Sequence, residues 1–190
     1  MATINTSRNE IDCKIVYCGP FRSGKTTNLR HVHRALEPET RGPLIAPAGD
    51  SDRTIFFDFL AVELGDLAGM HARVHLLAAP GRAGSLEARR RVLAGADGVI
   101  FVADSGPDRL DDNAVALAEL RDNLAMLGRS DVPVVLQYNK RDLADATAIE
   151  TLDQTLNSER LPTFEAIAIQ GDGVIDSLVS VSQAVVASFA

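Results

Sequence analysis

Gly19-Pro20-Phe21-Arg22-Ser23-Gly24-Lys25-Thr26 places two glycines, a lysine and a threonine in the spacing G-x-x-x-x-G-K-[ST]. Glycines there let backbone N–H groups turn inward around a polyphosphate, while the lysine reaches its outer phosphates. The Thr26 hydroxyl is a hard oxygen ligand suited to Mg²⁺. The arrangement requires a strand to deliver the loop and a helix whose N-terminal dipole faces the phosphates. Ile11 to Cys18 is apolar and of strand length, and Lys25 to Leu36 has helical periodicity. A chain of this length would match the pattern by chance about once in two hundred cases. The competing reading, a Gly-rich turn with a solvated lysine, does not explain that junction.

A second cluster, Asn139-Lys140-Arg141-Asp142, follows the apolar Val132–Tyr138 run and fits N-K-x-D. A carboxylate at Asp142 accepts from both the ring N–H and the exocyclic amine of guanine, a pair that adenine does not offer. A pocket built on such bonds discriminates strongly, because the wrong base leaves buried polar groups unpaired. Lys140 would lay its stem along the base, and Asn139 would tie this loop to the phosphate loop. Ala168, beyond Glu165, would offer a backbone N–H to the guanine oxygen. N-K-x-D alone is satisfied by many surface loops, and its weight comes from following a phosphate loop.

The intervening chain alternates between strand-length apolar runs and helix-period segments. Arg41 to Asp52 is rich in Gly and Pro and reads as a long loop. Ile55–Leu64 and Arg73–Ala78 are extended, with a hairpin turn expected through Gly65 and Gly69. Gly98–Asp104 is apolar throughout, as a strand covered on both faces would be. Asp111 and Asp112 are expected to cap a helix carrying Leu117, Leu120, Leu124 and Leu127, closed by Gly128. A helix over Ala146–Asn157, a strand over Phe164–Ile169 and a helix over Val174–Phe189 complete the order. The expectation is a three-layer α/β fold with a mainly parallel six-stranded sheet, one antiparallel edge hairpin and helices on both faces. Ligands of such sheets sit at the carboxyl ends of the strands, where both clusters fall. With no repeat or linker, residues 1–190 read as one domain.

Of the 190 residues, 46% are hydrophobic and 24% charged, which excludes disorder as the main state. Nineteen Lys and Arg against 26 Asp and Glu leave a net charge of −7, ill-suited to non-specific nucleic-acid binding. Cys13 and Cys18 point to opposite faces of one strand, so a mutual disulfide is implausible and a reduced, cytoplasmic setting fits. Met1 to Asn9 lacks the apolar core of a signal peptide, and no apolar run approaches the roughly 20 residues of a membrane span. Ala2 excludes myristoylation and no terminal cysteine offers prenylation, so no direct membrane anchor is expected.

With both motifs in place, the chain resembles the small Ras-like GTPases, and among them the bacterial MglA type that serves gliding motility and cell polarity. The likeness rests on Lys14-Ile15-Val16-Tyr17, Gly24-Lys25-Thr26-Thr27-Asn28-Leu29, Phe101-Val102-Ala103-Asp104-Ser105 and Asn139-Lys140-Arg141-Asp142-Leu143. The most type-specific stretch is Asp52-Arg53-Thr54-Ile55-Phe56-Phe57-Asp58-Phe59. The resemblance implies GTP/GDP and Mg²⁺ as cofactors. It assigns nucleotide contacts to Gly19, Pro20, Phe21, Arg22, Ser23, Gly24, Lys25, Thr26, Thr27, Gly81, Asn139, Lys140, Asp142 and Ala168. Thr26 and Thr54 would hold the metal, Thr54 being the switch threonine. Arg53 resembles the built-in arginine that neutralises transition-state charge; the alternative is a solvated loop arginine. Asp58 either faces the nucleotide or is a surface carboxylate. The resemblance also implies a small homodimeric roadblock-type (MglB-like) activator and downstream effectors at the switches. The expected docking surface is Ile55–Leu64 and a helix starting near Ser85.

Three positions depart from that pattern. Ala78-Ala79-Pro80-Gly81-Arg82 occupies the second switch, where the MglA type has threonine first and glutamine last, and Ras-like proteins have aspartate first. Ala78 offers neither hydroxyl nor carboxylate. Arg82, placed among the catalytic residues with Arg53 and Thr54, has donors only and cannot accept from an attacking water. Phe21 stands where the family has glycine, beside the γ-phosphate. The chain is therefore either a slow GTPase whose partner rebuilds the site, or a GTP-bound scaffold with little or no hydrolysis. A third possibility is that Phe21 and Arg82 face solvent and chemistry is ordinary. His31, His33, His71 and His75 read as surface residues, Arg89-Arg90-Arg91 as a solvated helix face, and Phe57 and Phe59 as sharing one strand face.

Overall fold

The computed structural model describes residues 3–5, 10–46, 57–67, 70–81 and 86–188. Its strands are β1 (Thr3–Asn5), β2 (Glu10–Cys18), β3 (Asp58–Leu67), β4 (Met70–Ala78), β5 (Gly98–Asp104), β6 (Val134–Asn139) and β7 (Thr163–Ala166). They form one sheet in the order β3-β4-β2-β5-β6-β7, with β1 paired to the start of β2. From β4 to β7 the neighbours are parallel, and β3 runs antiparallel to β4. The six-stranded sheet and its edge hairpin are as the sequence predicts. β1 is additional, and too short to carry a periodicity.

Helices α1 (Lys25–Ala35) and α5 (Val174–Ala187) cover one face of the sheet, packing Leu29, Val32, Val181 and Val185 on Ile15 and Ile100. Helices α2 (Leu86–Leu93), α3 (Leu110–Met126) and α4 (Ile149–Leu156) cover the other, around Val16, Phe101 and Leu136. Cys13 and Cys18 fall in these opposite layers as free thiols. Every residue of β5 is buried. Each large apolar side chain there contributes about 1.5–3 kcal/mol, more than the roughly 0.5–1.5 kcal/mol net of one ladder hydrogen bond. Burial from both sides therefore fixes β5 at the centre, and with it the strand ends that carry the site.

Several boundaries differ from the sequence reading. Gly65 is not in the turn: it sits in β3 with φ +75°, where the register shifts, and pairing continues to Leu67 and Met70. A glycine with positive φ inside a ladder marks a bulge. β6 begins at Val134 because Pro133 has no N–H to give the ladder. β7 stops at Ala166, after which Ile167 N–H turns to bond Asp172 O at 3.0 Å. Asp111 and Asp112 do not cap α3: the helix starts at Leu110, and both acids lie in its first turn, where they complement the dipole. Its other end closes as expected, with Gly128 N–H on Ala125 O and Arg129 N–H on Leu124 O. Part of the expected long loop is extended: Ile45 and Phe59 exchange N–H···O bonds of 2.8 and 2.9 Å, so residues 41–45 shield the edge of β3. Among the described residues no helix is long and apolar enough to cross a membrane.

Candidate functional site

The loop from Gly19 to Gly24 joins β2 to α1, as its spacing requires. An added Cβ at Gly19 would stand 2.2 Å from Val102 O, and one at Gly24 2.1 Å from Asn139 Nδ2. Both glycines also have φ above +100°, so the loop presses on β5 and on the 139–142 loop in a way no side chain permits. Asn139, 2% exposed, donates from Nδ2 to Ser23 O at 2.7 Å and accepts the Ala168 N–H on Oδ1 at 2.9 Å. The expected tie between the two loops is thus a buried carboxamide. The Ala168 N–H, expected to face a base, is here engaged by that carboxamide.

Behind the loop lies a polar network that the sequence reading passed over. Asn28 Nδ2 donates to Gly24 O at 3.0 Å, and Gln137 Nε2 donates to Asn28 Oδ1 at 3.0 Å and Ser177 Oγ at 2.8 Å. All three side chains are fully buried and link α1, β6 and α5. The signal was available: Gln137 is a lone polar residue inside an apolar strand.

Two cavities open at the strand ends. One, of about 460 Å³, is lined by Phe21, Lys25, Thr26, Asp58 and Ala78 to Gly81 among others. The second, of about 170 Å³, is lined by Asn139, Lys140, Asp142, Leu143, Ala168 and Ile169. They share Arg22, Gly24 and Thr27 as common walls. Three non-glycine residues have left-handed backbone among those described, and two of them, Arg22 and Lys140, lie one in each site loop. Such strain, of order 1 kcal/mol or more apiece, collects at functional sites.

Lys25 is 7% exposed and donates to Gly19 O at 2.9 Å and Pro20 O at 2.6 Å. Burial is the main cause that lowers its pKa to about 8; Cys18 and Asp58 oppose the shift, and Arg89 and Arg109 add to it. Gly81 lies directly over this region, since an added Cβ would meet Phe21 Cα at 2.8 Å and Lys25 Nζ at 2.9 Å. Phe21 is 40% exposed at the cavity wall, with the Arg22 guanidinium 5.2 Å from its ring centre.

Asp58 is a buried residue of the site. Only 8% exposed, it stands in register with Ala78, and its carboxylate accepts from the Thr26 hydroxyl. The carboxylate missing at Ala78 is therefore present one strand away. Arg89 and Arg90 are not a solvated face: Arg89 pairs with Glu119 at 3.2 Å, and Arg90 donates to buried Asn123 at 2.8 Å, docking α2 on α3. Arg53, Thr54 and Arg82 lie outside the described residues. Phe57 and Phe59 both pack against the α2–α3 layer, sharing a face as expected. His71 pairs with Glu63 at 2.9 Å, and among the described residues no group of three or more acidic, His or Cys side chains forms a metal cage.

No family model matches the chain. Over 187 residues, 97% of this chain and 96% of the relative, it is 44% identical to the mutual gliding-motility protein MglA of Myxococcus xanthus (strain DK1622). The chain belongs to the MglA-type small GTPases. The family is one of guanine-nucleotide-binding proteins, and the P-loop α/β fold described above agrees with it.

Lys25 yields a test of its environment that applies to any phosphate-bearing ligand. Its folded pKa, about 8, lies below the ordinary 10.5, so between those values the unfolded chain holds more protons and this group's contribution to stability rises with pH. An anion favours the charged amine and reverses that shift. Binding of GDP above pH 8 should therefore take up close to one proton, and affinity should fall as pH climbs from 8 to 9. Calorimetry in buffers of different ionisation enthalpy measures the uptake. Absence of uptake would show that Lys25 does not meet the phosphates.

Proposed function

We propose that this chain is a guanine-nucleotide switch of the MglA type, folded as one G domain over residues 1–190, acting in the cytoplasm in cell polarity or motility. The observation that carries the reading is the pair of cavities joined at Gly24 and Asn139. One is lined by a buried lysine and glycines and suits phosphates; the other is lined by Asp142 and suits a base. Gly19 to Thr27 and Gly81 would surround the phosphates, and Asn139, Lys140, Asp142 and Ala168 the guanine. Ala168 can serve a base only by sharing its N–H with Asn139. Mg²⁺ fits the oxygen donors present: the Thr26 hydroxyl is in place, Asp58 beside it supplies charge, and Thr54 would complete the set with water and phosphate. That ion would neutralise phosphate charge.

If Asp142 reads guanine, GDP and GTP bind far more tightly than ATP, and Asp142→Ala removes most of that preference. Loss of a charge-assisted bond pair of this kind is worth roughly 1.5–3 kcal/mol per bond, one to two orders of magnitude in affinity. Equal affinity for ATP and GTP in an equilibrium titration would sink the assignment.

Hydrolysis is read as slow. Arg53 and Thr54 would serve the reaction, but Arg82 can only donate hydrogen bonds and Phe21 stands at the phosphate cavity. One lost transition-state hydrogen bond costs about 10²–10³ in rate. The double change Phe21→Gly with Arg82→Gln should raise single-turnover hydrolysis, while either alone does little, since the two act as a unit. A large fall in rate for Arg82→Ala would instead make Arg82 catalytic. Phe21 equally favours the second reading, a GTP-bound scaffold with little or no hydrolysis, which the same assay separates by adding the partner.

For that partner we infer a roadblock-type, MglB-like homodimer docking on the 55–64 strand and the helix near residue 85, with effectors using the same switches. It should be retained by GTP-loaded protein and not by GDP-loaded protein in a pull-down. Equal retention would count against a switch.

A further inference from the structure

Arg109 lies in the turn Pro107–Arg109 that leads into α3, remote in sequence from both site loops. Its Nη2 donates to the Phe21 carbonyl at 2.7 Å. Its Nε stands 3.4 Å from Asp104 Oδ2, and Nη1 bonds the exposed Asp112 carboxylate. Asp104, 2% exposed at the end of β5, also pairs through Oδ2 with Lys140 Nζ at 2.5 Å, and its Oδ1 accepts the Gly106 N–H at 3.1 Å. An unbroken chain of charged contacts thus runs from the base loop to the phosphate loop: Lys140, Asp104, Arg109, Phe21.

We propose that Arg109, held by the buried carboxylate of Asp104, is a positioning residue that fixes the Phe21 peptide and couples the phosphate loop to the base loop through Lys140. The physical case rests on where each charge sits. Asp104 is a buried anion, and removing one of its two cations leaves charge poorly compensated in low dielectric. The guanidinium suits the task because its planar fork serves a carbonyl and two carboxylates at once, which an ammonium cannot do at fixed geometry. Arg109 is itself partly exposed, so truncating it leaves the core intact. The bond to Phe21 O also holds the peptide next to Gly81 and the Arg22–Phe21 stack, where small displacements reach the phosphate cavity directly.

The inference rests on the guanine-nucleotide reading above, and its test separates the two. Release of a fluorescent GDP is followed by stopped flow for the full chain and for Arg109→Met, Arg109→Lys and Asp104→Asn, and equilibrium affinities are measured for GDP and GMP. Arg109→Met should release GDP about tenfold faster, the loss of one charge-assisted hydrogen bond, and weaken GDP more than GMP, which engages the phosphate loop less. Arg109→Lys should recover part of the loss. Combining Arg109→Met with Asp104→Asn should cost no more than the larger single change, because both break one chain. GDP release within twofold of the unaltered protein, equal weakening of GDP and GMP, or strictly additive losses would each overturn the strut. Should Asp104→Asn fail to fold, Arg109→Met and Arg109→Lys decide it alone. Failure of the unaltered chain to bind GDP would refute the nucleotide reading instead.

Discussion

The Asn139 carboxamide is the constraint on which the rest of the site depends. It is buried, and it bonds backbone groups of two separate loops, Ser23 O and Ala168 N–H. Leaving such groups unpaired costs about 1–3 kcal/mol each, whereas an exposed ion pair such as Arg91–Glu87 contributes about 0–1 kcal/mol. The carboxamide also needs Gly24 in front of it, since any side chain there would displace it. Phosphate loop, base loop and the turn after β7 therefore hold one another in place. The Asn28–Gln137–Ser177 network extends the same constraint into α1, β6 and α5.

Charge is concentrated against this frame in a way the net balance conceals. The chain carries −7 overall, yet Lys25 sits buried with Arg89 and Arg109 near enough to push its pKa down. Three cations directed at one region repel each other unless an anion arrives, so the free site holds electrostatic work that a polyphosphate relieves. Net charge rightly argued against nucleic acid as a partner class, but it says nothing of a pocket of this size. The buried acids answer the same logic, Asp104 held between two cations and Asp58 on a hydroxyl.

What the sequence made legible was local. Gly19 to Thr26 announces itself because loop chemistry, strand and helix are contiguous, and the all-apolar β5 could hardly be exposed. What it hid depends on partners distant along the chain. Arg89 and Arg90 looked solvated because Glu119 and Asn123 come from another helix. Asp58 was ambiguous because strand alternation does not reveal which end of which neighbour it meets. Arg109 carried no motif at all, its role being set by contacts with residues 21 and 104. The Gly65 bulge moved the hairpin turn because a glycine in a strand and a glycine in a turn look alike until the ladder is known.

The three departures from the family pattern are also not equivalent once the geometry is considered. The absence of a carboxylate at Ala78 is offset in place by Asp58, which stands in register with it and already holds Thr26. Phe21 has no such compensation. Its carbonyl is bonded by Arg109, its Cα lies against Gly81 and its ring meets Arg22, so contacts on three sides fix it at the cavity wall. A side chain so held is part of the loop's construction, and relieving it by rotation would break contacts that also shape the phosphate site. The residues suited to binding and the residue that crowds the reacting end thus share one rigid loop. That sharing is the physical ground for expecting tight nucleotide binding and slow chemistry together in the same molecule.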